Sequence, residues 1–133
     1  MKRILFRCDR RIPEQQAAEL FSALGWFSGE YPKELAASLR QAHRLVTAWD
    51  GPRLVGLCST LADGVMTVYV NYLLLLPAYQ GKGLGRMLLR LALAPYRKYR
   101  RFLLMSDKGV TGFYETFGFS VDSDSFPMVL VRR

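Results

Sequence analysis

The sequence predicts one α/β domain spanning residues 1–133, with its main elements in the order ααβββαβαβ. Three observations carry that reading. Half of the 133 residues are apolar, which suits a single core in a chain of ordinary one-domain length. Two segments with helical apolar spacing precede runs rich in β-branched and aromatic residues, and those runs are split by Asp-Gly turns. A glycine-rich turn then joins the apolar run that starts at Leu73 to a helical one that ends at Ala94.

The elements follow from local patterns. Ile4 to Phe6 allows a short first strand. "PEQQAAELFSALG" opens on a proline suited to a first helical turn and closes on a glycine, with Ala17, Leu20, Phe21 and Leu24 on one face. "PKELAASLRQA", residues 32–42, repeats the pattern with Leu35, Ala36 and Leu39. "RLVTAW", "RLVGLCSTLA" and "VMTVYVNYLLLL" are separated by turns at Asp50-Gly51 and Asp63-Gly64, which predicts an antiparallel meander from Arg44 to Leu76. Asp-Gly is what tight turns require, so these aspartates are turn formers before anything else. Pro77 ends the third strand. "GLGRMLLRLALA" reads as a helix, "RFLLMS" as a strand, "GVTGFYETFG" as a short helix and "MVLVR" as a final strand.

Composition removes several functions. No apolar run approaches the roughly 20 residues of a membrane span, and the charged start of the chain lacks a signal peptide's apolar centre, so a soluble cytoplasmic protein with no membrane partner is expected. Cys8 and Cys58 are too few for a disulfide framework, and with His43 as the only histidine no zinc-ligand spacing can be assembled; no metal is implied. Cys58, in a predicted strand, reads as a buried inert thiol. The net charge of +8 favours an anionic partner. The cluster "YRKYRR", residues 96–101, suits a solvated helix end, and no nucleic-acid signature accompanies it.

The glycine turn is the informative feature. Gly81, Gly83 and Gly85 lie between a strand and a helix opening near Leu84. Glycines allow positive φ and close backbone approach, and a helix N-terminus adds about half a positive charge, so several N–H groups converge on one anion. Lys82 and Arg86 add side-chain charge, and a phosphate-bearing ligand is expected. A P-loop would need G-x-x-x-x-G-K-S/T, whereas here Lys82 precedes Gly83. A dinucleotide fingerprint would need a third glycine where Arg86 stands and an acidic residue about 20 positions on. Neither fits, and the identity of the phosphate ligand stays open on these residues alone.

Two motifs supply a resemblance. "QGKGLG" places Gln80, Gly83 and Gly85 in register with the acetyl-CoA loop Q/R-x-x-G-x-G/A of the GCN5-related N-acetyltransferases (GNAT family), after an apolar strand ending in proline. "FYETFGF", residues 113–119, resembles that family's F-Y-x-x-x-G-F segment. Weaker likeness, at "GW" 25–26, "LVG" 54–56 and "PM" 127–128 among others, extends over most of the chain and is similar to the family's small bacterial and plastid branch, whose substrates include arylalkylamines and protein amines.

The resemblance implies a GNAT fold: a mixed, mostly antiparallel central sheet with splayed strands flanked by helices. It implies acetyl-CoA as cosubstrate, its pantetheine arm paired with the backbone of Leu74, Leu75 and Leu76. The pyrophosphate would lie over the N–H groups of Gly81, Lys82, Gly83, Leu84, Gly85 and Arg86, with Gln80, Asp107 and Phe113 as further cofactor-binding residues. Leu75 N–H becomes the candidate oxyanion contact and Tyr114 the candidate general acid. Asp107-Lys108 stands where the family commonly has an Asn, and Tyr72 where relatives often carry an Asp base. Glu30, Glu34, His43 or a water chain are the remaining candidates for that base. Trp26, Phe27, Tyr31 and Tyr72 either line an acceptor site or pack helices. The expected activity is transfer of an acetyl group to a primary amine, of a small molecule or a protein, by direct attack in a ternary complex. The rivals are a noncatalytic CoA-binding regulatory module, prompted by Tyr72, and a basic nucleic-acid-binding protein, prompted by charge. A homodimer is one assembly left open.

Overall fold

The computed structural model describes residues 3–133. Its elements are β1 (Ile4–Arg7), α1 (Glu14–Ala23), α2 (Pro32–Arg40), β2 (Arg44–Asp50), β3 (Arg53–Ala62), β4 (Thr67–Leu75), α3 (Leu84–Leu93), β5 (Arg101–Leu104) and α4 (Thr111–Glu115). Short 3-10 turns lie at Phe27–Glu30, Pro77–Tyr79 and Ala94–Tyr96. One five-stranded sheet runs in sequence order, antiparallel from β1 to β4, with β5 parallel to β4. The α3 crossover is what makes that last pair parallel, since a hairpin cannot.

The meander forms where the Asp-Gly turns predict it. Gly51 and Gly64 take positive φ. The Asp63 carboxylate accepts from the N–H groups of Val65, Met66 and Thr67, and these bonds hold its pKa below the ordinary value. Helices cover both faces of the sheet. Gly56 faces Leu88 of α3, while Ser59, three residues on and therefore on the other face, opposes Tyr72, which packs against Phe21 of α1. Phe21, Leu20, Leu39, Leu57, Leu88 and Leu89 fill one continuous core.

One expected element is absent. "MVLVR" is not a strand: Met128, Val129, Leu130 and Val131 are 94%, 66%, 80% and 46% exposed. Strand preference is a preference for a pleated, half-buried surface beside a neighbour, and among the described residues the segment pairs with no strand. The described order is therefore βααβββαβα.

Candidate functional site

The site begins where two strands part. β4 pairs with β5 only from Thr67↔Arg101 to Val70↔Leu104, yet β4 continues to Leu75. At the point of separation Ser59 pairs with Tyr72 and Thr60 with Val70, leaving Asn71 as an extra residue in β4. A bulge of this kind bends and twists its strand. Beyond it opens a cleft of about 580 Å³, walled by β4, the glycine turn, the end of β5 and α4.

The direction of the β4 backbone in this cleft follows from its other neighbour. Leu76 N–H donates to Val55 O at 2.8 Å. Opposing pairs in an antiparallel ladder alternate between bonded and non-bonded, so the adjacent pair Gly56↔Leu75 is non-bonded and the N–H and C=O of Leu75 face the cleft, as do those of Leu73. Gln80 Nε2 donates to Leu75 O at 2.9 Å, which leaves the Leu75 N–H directed at the cavity. Leu74 and Leu75 both line the cleft, but the backbone of Leu76 is committed to β3 and Leu76 is not in the lining.

The turn is anchored and left open at once. Tyr79 hydroxyl donates to Asp50 Oδ2 at 2.5 Å, tying the turn to the β2–β3 hairpin and raising the tyrosine pKa. Gly81 and Gly83 have φ of 77° and 82°, and a Cβ on either would enter open space. Gly83 precedes α3 with no side-chain cap, so the first N–H groups of that ten-residue helix keep no side-chain partner. Gln80, Gly81, Gly83, Gly85 and Arg86 line the cleft; Lys82, whose Nζ donates to Ala78 O at 3.3 Å, and the buried Leu84 do not. Arg86 donates to Thr116 Oγ1 at 2.8 Å and lies 4.8 Å over the Phe117 ring, so it clamps α3 to α4 while facing the cleft.

Tyr114 and Phe113 project into the cleft from α4, their rings edge-on at 5.1 Å. The Tyr114 pKa is raised to about 12, first by burial and then by Cys58 and Asp107. Its hydroxyl therefore stays a proton donor across the neutral range. The Cys58 thiol is fully buried and pushed up to about 12 by desolvation, which suits an inert core residue.

The acceptor candidates separate. Trp26 lines the cleft; Phe27, Tyr31 and Tyr72 do not. Tyr72 sits edge-on to Phe21 at 4.8 Å and Trp26 at 5.5 Å, with its hydroxyl 3.2 Å from Ser28 Oγ, so it buttresses Trp26 from behind. Phe27 and Tyr31 pair with each other at 6.2 Å. None of the three side chains considered for the base reaches the cleft. Glu30 pairs with Arg133 at 3.4 Å, Glu34 is exposed, and His43 Nδ1 lies 2.7 Å from the Tyr96 hydroxyl. Asp107 is the carboxylate of the lining. Among the described residues no three His, Cys, Asp or Glu side chains gather as metal ligands, and no helix is long and apolar enough to cross a membrane.

Sequence reasoning missed Asn71 and Leu73, and on the facing wall Leu104 and Met105. Asn71, a polar residue inside an otherwise apolar strand run, was the available signal for the bulge. Nothing local marked the others, because their exposure depends on where β5 stops.

A sequence model described as the acetyltransferase (GNAT) family matches residues 9–119. An uncharacterized ycf52-like N-acetyltransferase of Prochlorococcus marinus is 27% identical over 124 residues, covering 89% of this chain and 68% of that protein. A GNAT family acetyltransferase of Streptococcus pneumoniae superposes with a TM-score of 0.84 at 27% identity, covering 98% of this chain and 99% of that one. A probable acetyltransferase of Staphylococcus aureus shares the fold with a TM-score of 0.85 at 21% identity, covering 98% and 100%.

Proposed function

The chain belongs to the acetyltransferase (GNAT) family, and from that premise we propose that it moves an acetyl group from acetyl-CoA to a primary amine by direct attack in a ternary complex held in the β4–β5 cleft. The observation that carries the proposal is the alignment of three donors around one cavity. Leu75 N–H faces it from β4, the uncapped turn at Gly81–Arg86 closes one end, and Tyr114 stands on the opposite wall.

Each group has a role fitted to its chemistry. The open space over Gly81 and Gly83 suits a pyrophosphate, because the backbone there can approach an anion that any Cβ would displace. The outward N–H and C=O of Leu73 offer an amide-bearing arm a strand edge to pair with. Leu75 N–H serves as the donor to the oxyanion. Tyr114 donates a hydrogen bond to the departing sulfur. With its pKa near 12 and a thiol near 8.5, complete proton transfer is uphill by about 3.5 units, roughly 5 kcal/mol, so the hydroxyl stabilises the thiolate as it forms and solvent completes the protonation.

The acceptor end is apolar, with Leu24 and Trp26, and the carboxylate in the cleft lining is that of Asp107, beyond the end of β5. An aromatic monoamine, or the amine of an acidic peptide, fits that end and the net charge of +8 better than a polyamine does. With Glu30, Glu34 and His43 outside the cleft, the amine is taken from its neutral form in solution. The log of kcat/KM should rise with a slope near one up to the pKa of the amine itself, with no descending limb from Tyr114 below about pH 10.

A panel of arylalkylamines, peptides and polyamines, assayed by thiol release, tests the reading. In Tyr114→Phe, kcat on any accepted amine should fall by about 10²–10⁴-fold with acetyl-CoA affinity nearly intact. An unchanged kcat, with chemistry limiting, removes the tyrosine from the mechanism. The missing carboxylate favours one second reading, a noncatalytic CoA-binding module, and absence of turnover across the panel despite tight acetyl-CoA binding would select it.

A further inference from the structure

Tyr114 stands on a helix that holds little by itself. α4 has five residues, no side-chain cap and no fully buried residue. It meets α3 at the glycine turn: a Cβ on Gly85 would lie 3.9 Å from the Phe113 ring, and the Arg86 guanidinium lies 4.8 Å over the Phe117 ring. Phe117 in turn packs on Phe113 at 5.7 Å, and Phe113 on Tyr114 at 5.1 Å. The residues that open towards an anion are therefore also those on which the tyrosine's helix rests.

One hydroxyl joins the two. Arg86 Nη1 donates to Thr116 Oγ1 at 2.8 Å, and Thr116 Oγ1 donates to Phe113 O at 2.6 Å. The Phe113 carbonyl belongs to the same planar peptide unit as the Tyr114 N–H, so fixing that carbonyl fixes the direction in which the Tyr114 side chain leaves the helix. Arg86 keeps further N–H donors for the cleft it lines, because a guanidinium carries five in one rigid plane. An anion gripping those donors holds the plane, and the plane holds Thr116. Thr116 itself is exposed and outside the cleft lining.

We infer that Thr116 is a positioning residue for Tyr114, through which a pyrophosphate on Arg86 sets the proton donor in place as acetyl-CoA binds. The inference rests on the reading of Arg86 and Tyr114 given above. Cosubstrate binding and placement of the acid are then one event. Without the anion, Arg86 is free to leave Thr116 for solvent, and α4 loses the contact that aims the hydroxyl. The amine meets a completed site only after acetyl-CoA has entered.

Thr116→Val keeps the shape and removes both hydrogen bonds, whereas Thr116→Ser keeps both. On an amine accepted in the panel, Thr116→Val should lower kcat by about 3–10-fold, the worth of one net hydrogen bond, and leave acetyl-CoA affinity within about twofold, with Thr116→Ser close to the unaltered chain. The same valine change made in Tyr114→Phe should lower kcat hardly further, because the group it aims is gone. No loss in Thr116→Val, or an equal fold loss with and without the tyrosine hydroxyl, overturns the inference and leaves the acid role standing. An unaffected Tyr114→Phe removes the acid role and the inference with it. Amide exchange of residues 113–119, read with CoA and no amine, tests the coupling without turnover. Saturating CoA should slow these amides in the unaltered chain and in Thr116→Ser, but much less in Thr116→Val. Equal slowing in all three overturns the inference whatever becomes of the acid role.

Discussion

The two edges of β4 carry opposite fates along one strand. Towards β3 the ladder runs without a gap from Ala62↔Val68 to Gly56↔Leu75 apart from the bulge at Asn71, and Leu76 extends it to Val55. Towards β5 it stops at Val70↔Leu104. The paired edge supplies the rigidity, and the released edge supplies unsatisfied backbone groups that would be costly unless water or a ligand met them. A binding site thus comes from stopping one strand early rather than from adding a loop. The lesson is that the same leucines can be core by their side chains and site by their backbone.

Two glycines set the contrast most sharply. Gly83→Val should weaken acetyl-CoA binding by about 100-fold or more, because a side chain at φ 82° is strained and its Cβ fills the space over the turn. Calorimetry, and loss of the acetyl-CoA-induced rise in Tm, would register it. Gly56→Val should do the reverse. Its Cβ would lie 2.8 Å from Leu74 O and 2.6 Å from Leu75 Cδ1, so the paired edge is overpacked, stability falls by about 1–3 kcal/mol in urea unfolding, and the affinity of the folded fraction changes much less. Equal loss of affinity in both variants would erase the distinction between the edges.

A pH experiment asks whether the paired side is dry. Cys58, opposite Leu73, keeps its proton to about pH 12 when folded but ionises near its ordinary value of 9.0 when unfolded. Between those values the unfolded state binds fewer protons, so stability is full below pH 9 and declines as pH rises towards 12. Cys58→Val should flatten part of that decline, and an unchanged alkaline slope would show the thiol in contact with water.

Much of this was legible in the sequence, for local reasons. The Asp-Gly turns, the helical stripes and the alternating glycines each depend on residues within a few positions, and the meander and the turn formed where they predicted. The parting of β4 and β5 was not legible from residue patterns, since it depends on β5 ending at Leu104 rather than continuing through Met105 and Ser106, a tertiary outcome. The resemblance to the family implies the splay but not the parity: the Leu76 backbone turns to Val55 of β3, whereas Leu73, which the resemblance does not name, lines the cleft. "MVLVR" failed for the complementary reason: its composition is that of a strand, but a strand needs an edge, and composition does not say whose.

The smallest expected effect concerns Gln80, whose amide occupies the Leu75 carbonyl. Gln80→Ala frees one acceptor on the released edge and should change acetyl-CoA affinity by no more than about tenfold, the worth of one hydrogen bond of roughly 0.5–1.5 kcal/mol.

The released edge itself can be watched by residue-resolved hydrogen exchange of the β4 amides. In the free protein the Leu76 amide, bonded to Val55 O, should exchange slowly, and the Leu75 amide, facing the cleft, much faster. Saturating acetyl-CoA should slow Leu75, together with the amides of Gly83 to Arg86, while Leu76 hardly changes. A Leu75 amide that stays fast at saturation, or that is already as slow as Leu76 without acetyl-CoA, would contradict the account.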